Sequence, residues 1–324
     1  MTQFRGIHKI TIPIPFPIES VNVFLLEGPP LSLVDTGLRD AATLETLRQA
    51  FARIGRKLED LERIYITHGH LDHFGLAQAL VRISGATVFV HQQDADKVTH
   101  ESLKSLEEEP SLLGMFLEEA GLPSVYHNYI KQEFLSIVNT FSEPVPEVVT
   151  FPDGDEIVCG DRKFRVVHLP GHSVGQVCFF EPSERLLFSG DHLLPTITPN
   201  PLLDLEAKAR NGYQSLKTYL ASLEATRALD ALHVLPGHGD VFSCPGSRID
   251  AILQHHEQRS LEVLRILENG AKTKWQLCQE LFCQLEQREV FLGLSEVEGH
   301  LELLEEKGAV NRQYAGNHLM FCRT

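Results

Sequence analysis

The chain has 324 residues, 43% of them hydrophobic, and a formal net charge of −15. That length suits one large domain plus a small one able to bury a substantial core. The charge argues against non-specific nucleic-acid affinity, and no apolar stretch reaches membrane-spanning length. Six scattered cysteines without a C-x-x-C pair, and a start at Met1-Thr2-Gln3-Phe4-Arg5 that lacks a signal-peptide layout, point to a reducing, cytoplasmic setting.

Residues 7–12 and 21–26 read as strands on either side of the proline-rich Pro13-Ile14-Pro15-Phe16-Pro17. Pro29-Pro30 marks a turn, and Leu31 to Val34 is a third strand that ends at Asp35. Ala41 to Ile54 is an amphipathic helix with Leu44, Leu47, Ala50 and Phe51 at helical spacing. The apolar run Ile64-Tyr65-Ile66 then leads into Thr67-His68-Gly69-His70-Leu71-Asp72-His73, with a helical pattern from Phe74 to Ile83 and a strand from Thr87 to Val90. A strand-to-helix turn lets a rigid scaffold aim several polar groups at one point. Neutral imidazoles and a carboxylate are a ligand set for zinc and neighbouring first-row metals. The plainer reading is a group of exposed turn histidines with Asp72 capping the helix. The density of H-x-H-x-D-H favours metal.

Residues 98–147 interrupt this order with a helical, apolar excursion that includes Phe116, Tyr126 and Phe134. So long an insertion needs its own packing partner or a function. A lid over the metal cleft, a homodimer surface and a satellite core are the options. The lid is preferred, with Phe116, Tyr126 and Phe134 as substrate-binding candidates. Strands follow at 156–159, 163–169, 176–181 and 185–189, then a helical run from Asp204 to Leu229 whose apolar stripe packs on the sheets. Beyond Ser247, helices are expected at 248–268, 274–284 and 295–307, with a terminal hairpin, a winged-helix-like tail. Residues 250–324 hold 8 Lys plus Arg against 12 Asp plus Glu, so this tail lacks the basic face of a nucleic-acid reader. Domains are therefore expected at 1–247 and 248–324. His255-His256 reads as a surface pair, Cys159, Cys178 and Cys244 as small buried apolar residues, and Trp275 as a packing anchor.

The H-x-H-x-D-H motif resembles that of the metallo-beta-lactamase superfamily. Val34-Asp35-Thr36-Gly37, Pro170-Gly171-His172-Ser173, Ser189-Gly190-Asp191-His192 and Pro236-Gly237-His238-Gly239 resemble its other motifs, in the family's order over roughly residues 7 to 245. The resemblance implies an α/β (α+β) fold, the four-layer αββα sandwich. It also implies two divalent metal ions, zinc by ligand type with iron or manganese allowed. His68, His70 and His172 would hold one ion and Asp72, His73 and His238 the other, with Asp191 bridging. Asp35 would stand behind a ligand imidazole and fix its tautomer. Asp72, Asp191 and Asp35 are thus the carboxylates expected to carry catalysis. His192 could touch substrate or supply a proton, with an equal case for a polar role behind the ligands.

Two ions about 3.5–4 Å apart can share an acidified water, giving a nucleophile without serine or cysteine. The implied function is metal-dependent hydrolysis of an ester-like bond in a small molecule, a thioester or lactone with an apolar group. Glyoxalase-II-like chemistry is a natural candidate, although Gly69 stands where that enzyme usually has a histidine. A phosphodiesterase or ribonuclease of the same fold, and a non-enzymatic regulator that retains the metals, are the competing readings.

Overall fold

The computed structural model describes residues 4–106, 111–316 and 318–324. Two six-stranded sheets face each other. The first runs in chain order: β1 (Ile7–Pro13), β2 (Ser20–Leu26), β3 (Ser32–Val34), β4 (Arg63–Tyr65), β5 (Thr87–His91) and β6 (Val149–Phe151). The second holds β7 (Glu156–Cys159), β8 (Arg162–His168), β9 (Val177–Glu181), β10 (Leu186–Gly190), β11 (His233–Pro236) and β12 (Phe242–Ser243) side by side. The first sheet turns from antiparallel to parallel at β3, and in the second only β10–β11 is parallel.

Strand alternation explains the layers. On β2, Val21, Val23 and Leu25 pack outward with Leu47, Phe51 and Leu80 of the helices Ala41–Arg53 and Ala77–Ser84. Phe24 and Leu26 point the other way, between the sheets, against Phe164, Phe179 and Phe188. Tyr219, Leu223, Ile249 and Ile252, from helices Ser215–Arg227 and Gly246–Leu267, cover the outer face of the second sheet. The result is the expected αββα sandwich.

Val149–Phe151 was not expected as a strand. It is three residues long and pairs in parallel with β5 across the whole insertion, so nothing local announces it. The helical run 204–229 is split into Leu205–Asn211 and Ser215–Arg227, because Gly212 takes a left-handed φ of 73° that caps the first helix.

The insertion forms helices Leu112–Glu119 and His127–Phe141, and its residues 107–110 lie outside the described residues. Leu113, Phe116, Leu117, Leu122 and Ile130 share one core with Val263, Leu277, Leu294, Val297 and Phe321 of the tail. The apolar content therefore serves a satellite core rather than the preferred lid. Phe116 is buried, with its ring 6.3 Å from that of Phe291, and Tyr126 is half-buried with its ring 6.3 Å from that of Trp275, so both pack toward the tail. Phe134 is exposed. Phe116→Ala should accordingly cost about 3 kcal/mol of stability in urea unfolding while leaving acyl chain-length preference unchanged. A changed preference at unchanged stability would restore Phe116 to the substrate pocket.

The tail has helices Gly246–Leu267, Lys274–Leu281 and Val290–Glu306. A three-stranded sheet joins them, in which β15 (His318–Arg323) lies between β13 (Lys272–Thr273) and β14 (Val310–Ala315). The second helix of a helix-turn-helix pair is the one that enters a DNA groove. Here its counterpart, Val290–Glu306, is largely buried, and a Cβ on Gly299 would lie 2.8 Å from that of Leu216. Its remaining polar residues are Glu296, Glu302, Glu305 and Glu306, which would repel phosphate. Among the described residues no helix is long and apolar enough to cross a membrane.

Two of the minor expectations need correction. Cys244 is exposed, at the turn out of β12. His256 is buried rather than on the surface, with its Nδ1 3.4 Å from Nε2 of His300, whose Nδ1 lies 3.0 Å from the Ser260 hydroxyl. Helical spacing gives His255 and His256 different faces, and His256 turns toward Tyr219. Burial, aided by nearby His255 and Arg259, pushes His256 down to about 3 and His300 to about 2, so both are neutral in the fold. Their contribution to stability is complete above the unfolded-state value near 6.5 and is lost as pH falls below it. The pair should cost roughly 2–3 kcal/mol between pH 6.5 and 5. Urea unfolding of His256→Gln/His300→Leu beside the parent chain should show a shallower acid slope in the variant, and equal slopes would refute this.

Candidate metal centre

The ligand-type side chains come from four loops at strand ends. His68, His70, Asp72 and His73 follow β4, His172 lies between β8 and β9, Asp191 follows β10, and His238 follows β11. Asp35, at the end of β3, has a left-handed backbone with φ 61°. Its carboxylate accepts from the Thr67 N–H at 2.8 Å, from the Thr67 hydroxyl at 2.9 Å and from His73 Nδ1 at 2.8 Å. It thereby fixes the start of the ligand turn and the tautomer of one imidazole.

Three groups of side chains bring one ligand atom each to within 4.8 Å of one another: His68, His70 and His172; Asp72, His73 and His238; and His68, His73 and Asp191. Asp191 reaches both halves. Its Oδ2 lies 3.6 Å from His172 Nε2 and 3.2 Å from His238 Nε2, and its Oδ1 lies 3.5 Å from His73 Nε2.

The donor set fits a metal. Thr67 gives its hydroxyl hydrogen to Asp35, so His68 Nδ1–H donates to Thr67 Oγ1 at 3.1 Å, leaving His68 Nε2 a bare lone pair. His172 Nδ1–H donates to the Asn200 carbonyl at 2.9 Å, which leaves its Nε2 bare as well. Both bare nitrogens face His70 Nδ1 at 3.0 Å; a single Nδ1–H on His70 could serve fully only one of them, whereas a cation would be served by all three nitrogens. His73 Nε2 and Asp191 Oδ1 are buried without a hydrogen-bond partner, a cost that a bound ion removes.

The pattern of the metallo-beta-lactamase superfamily matches residues 17–238. The chain belongs to that superfamily. It is 27% identical over 318 residues to "Probable metallo-hydrolase YqjP" of Bacillus subtilis, covering 96% of each chain. It is 24% identical over 281 residues to an atrochrysone carboxyl ACP thioesterase of Aspergillus fumigatus, covering 83% of this chain and 70% of that one. The crystal structure of a metallo-beta-lactamase family protein from Thermus thermophilus superposes with a TM-score of 0.85 at 28% identity, over 99% of both chains. The protein is a metallo-hydrolase of this superfamily.

Electrostatics divide the site. Burial pushes His68 well below its ordinary range, and burial, with His172 and Lys97 nearby, takes His70 down to about 3. Burial opposes charge on His73 and His238 too, but Asp191 and Asp72 outweigh it, lifting His73 well above its usual value and His238 to about 10. Asp191 is raised by burial, yet His238 and His73 hold it well below the usual carboxylate range. In the metal-free chain these carboxylates keep protons on two imidazoles, and a divalent ion would displace them, so loading releases protons.

His192 is fully buried. Its Nε2 lies 2.7 Å from the Thr226 hydroxyl, facing the covering helix rather than an open cleft. Sequence reasoning missed three residues that shape this site. Asn22 on β2 sends its side-chain N–H groups to the carbonyls of Pro236 at 2.9 Å and Gly239 at 2.7 Å, bracketing the His238 loop. Asn200 backs His172 through its carbonyl and donates its side-chain N–H to the Leu292 carbonyl of the tail at 3.0 Å. Asp94 touches two ligand loops at once. A polar residue inside an apolar strand was the signal for Asn22. The other two sit in loops with no local signature.

Proposed function

We propose that this metallo-hydrolase cleaves a thioester or lactone bearing an apolar group, in a centre where His68, His70 and His172 would hold one divalent ion and Asp72, His73 and His238 a second. Asp191 would serve both, and its reach to imidazoles of both groups is the observation that carries the reading. Zinc is the first choice for the donor set, with iron or manganese as alternatives. Two such ions, when bound, supply an acidified water and polarise the substrate carbonyl. The chain's own share is positioning. Asp35, the Asn200 carbonyl and the Ser20 carbonyl hold His73, His172 and His238 by Nδ1 and leave each Nε2 free for a ligand bond. His192, buried and held by the Thr226 hydroxyl and Tyr219, takes the polar role behind the ligands rather than exchanging a proton with substrate.

The preference for an apolar group has two supports. Ile197 and Leu292, both large and exposed, lie on the segments that Asn200 joins behind His172. Phe134, also exposed, continues the helix face on which Val138 is buried and Phe141 packs against Phe16. The Aspergillus fumigatus relative is named a thioesterase. All six cysteines are unpaired, which suits a cytoplasmic setting.

A turnover screen over acyl thioesters, lactones and bis-aryl phosphodiesters tests this. Thioester or lactone cleavage should vanish on chelation and return with zinc, iron or manganese. Phosphodiester turnover alone would replace the reading with a phosphodiesterase, and full activity after exhaustive chelation would end the metal reading.

A further inference from the structure

We propose that Asp94 is the positioning residue that holds the three-histidine half of the centre in shape; this rests on the metal reading above. Asp94 follows β5 and is fully buried. One carboxylate oxygen accepts the Gly69 N–H at 2.8 Å, and Gly69 is the residue between His68 and His70. The other accepts the Gly175 N–H at 3.1 Å and the Ser173 hydroxyl at 2.7 Å, and Ser173 directly follows His172. A single side chain thus clasps both loops that present His68, His70 and His172.

The glycines make this approach close enough. A Cβ on Gly175 would lie 2.6 Å from the Asp94 carboxyl carbon, and one on Gly69 would meet Lys97 Cβ at 2.8 Å. Lys97 completes the clasp. Its ammonium lies 2.9 Å from Asp94, 3.1 Å from the Ser173 hydroxyl and 3.0 Å from Asp204, which caps helix Leu205–Asn211. An anion buried with three neutral donors and one cation is strongly favoured as a carboxylate. The Val177 N–H bond to the Thr67 carbonyl at 2.9 Å joins the bases of the two turns, and Asp94 ties together the stretches that carry His68, His70 and His172 themselves. Among the described residues Asp94 makes no hydrogen bond or ion pair with Asp72, His73 or His238, so its effect should be confined to one ion.

The test is competitive chelator titration of zinc on the full chain, alongside Asp94→Asn and Ser173→Ala. The unmodified chain should take two ions. Asp94→Asn places an amide N–H against a backbone N–H and should weaken one ion about 10–100-fold while leaving the other nearly unchanged, the scale of removing a group that orients metal ligands. Ser173→Ala should weaken the same ion by a smaller factor. Two variants that titrate like the unmodified chain, or that weaken both ions together in step with thermal stability, would overturn the proposal. If Asp94→Asn does not fold, unchanged zinc affinity in Ser173→Ala overturns it alone. An unmodified chain that binds no ion sinks the metal reading itself, and is told apart because the variants are then irrelevant to the failure.

Discussion

Asp191→Asn is expected to lose metal and activity together, with kcat/KM down by about 10²–10³-fold, the scale seen when a group that organises transition-state charge is removed. Asp191 lies 3.2–3.6 Å from three imidazole nitrogens in both halves of the centre. An amide there keeps the size but removes the negative charge that offsets two divalent cations. It also turns one of the two acceptor oxygens into a donor facing His73 or His238. Elemental analysis and turnover on one preparation give the answer. Full metal content with only a shifted pH profile would make Asp191 a proton acceptor and reverse its assigned role.

The second large effect lies outside the site. Lys274 is almost fully buried, with its ammonium 3.0 Å from Glu119 of the insertion and 2.9 Å from Glu298 of the tail helix. It also stands 4.9 Å over the ring of Phe116 and 5.8 Å over that of Phe321. Burial pushes the Glu298 carboxyl up, and Lys274 and Lys208 beside it bring it below the ordinary range. Removing Lys274 leaves the buried Glu298 with Lys208 as its one remaining cation and takes an ammonium from the faces of two rings, so Lys274→Met should cost about 2–3 kcal/mol. Adding Glu298→Met should recover much of the loss, because an apolar pair of similar volume no longer needs solvating. Urea unfolding of the single and double variants decides it. A single variant within about 1 kcal/mol of the parent would show that the network contributes little to joining insertion and tail.

The part of the centre that could be read from the sequence is the part the chain encodes locally. His68, His70, Asp72 and His73 fall within one turn, and the motifs at His172, Asp191 and His238 each close an apolar strand, so each is visible without its partners. Asp94 and Asn200 were invisible because their role depends on loops remote in sequence. Asp94 serves Gly69 and Gly175 from a turn where an aspartate is ordinary. The insertion was legible as helical and apolar. Its destination was not, because the surface it covers lies more than a hundred residues further on, around Leu277, Leu294 and Phe321. That distance turned an expected lid into a satellite core. It also places Phe116 in that core, against Phe291.

The central claim is a pair of ions shared by these seven side chains. An anomalous-difference map from crystals of protein purified without chelator tests it most directly. Two peaks about 3.5–4 Å apart are expected, one among His68, His70 and His172 and the other among Asp72, His73 and His238, with Asp191 touching both. One peak, or none, would contradict it.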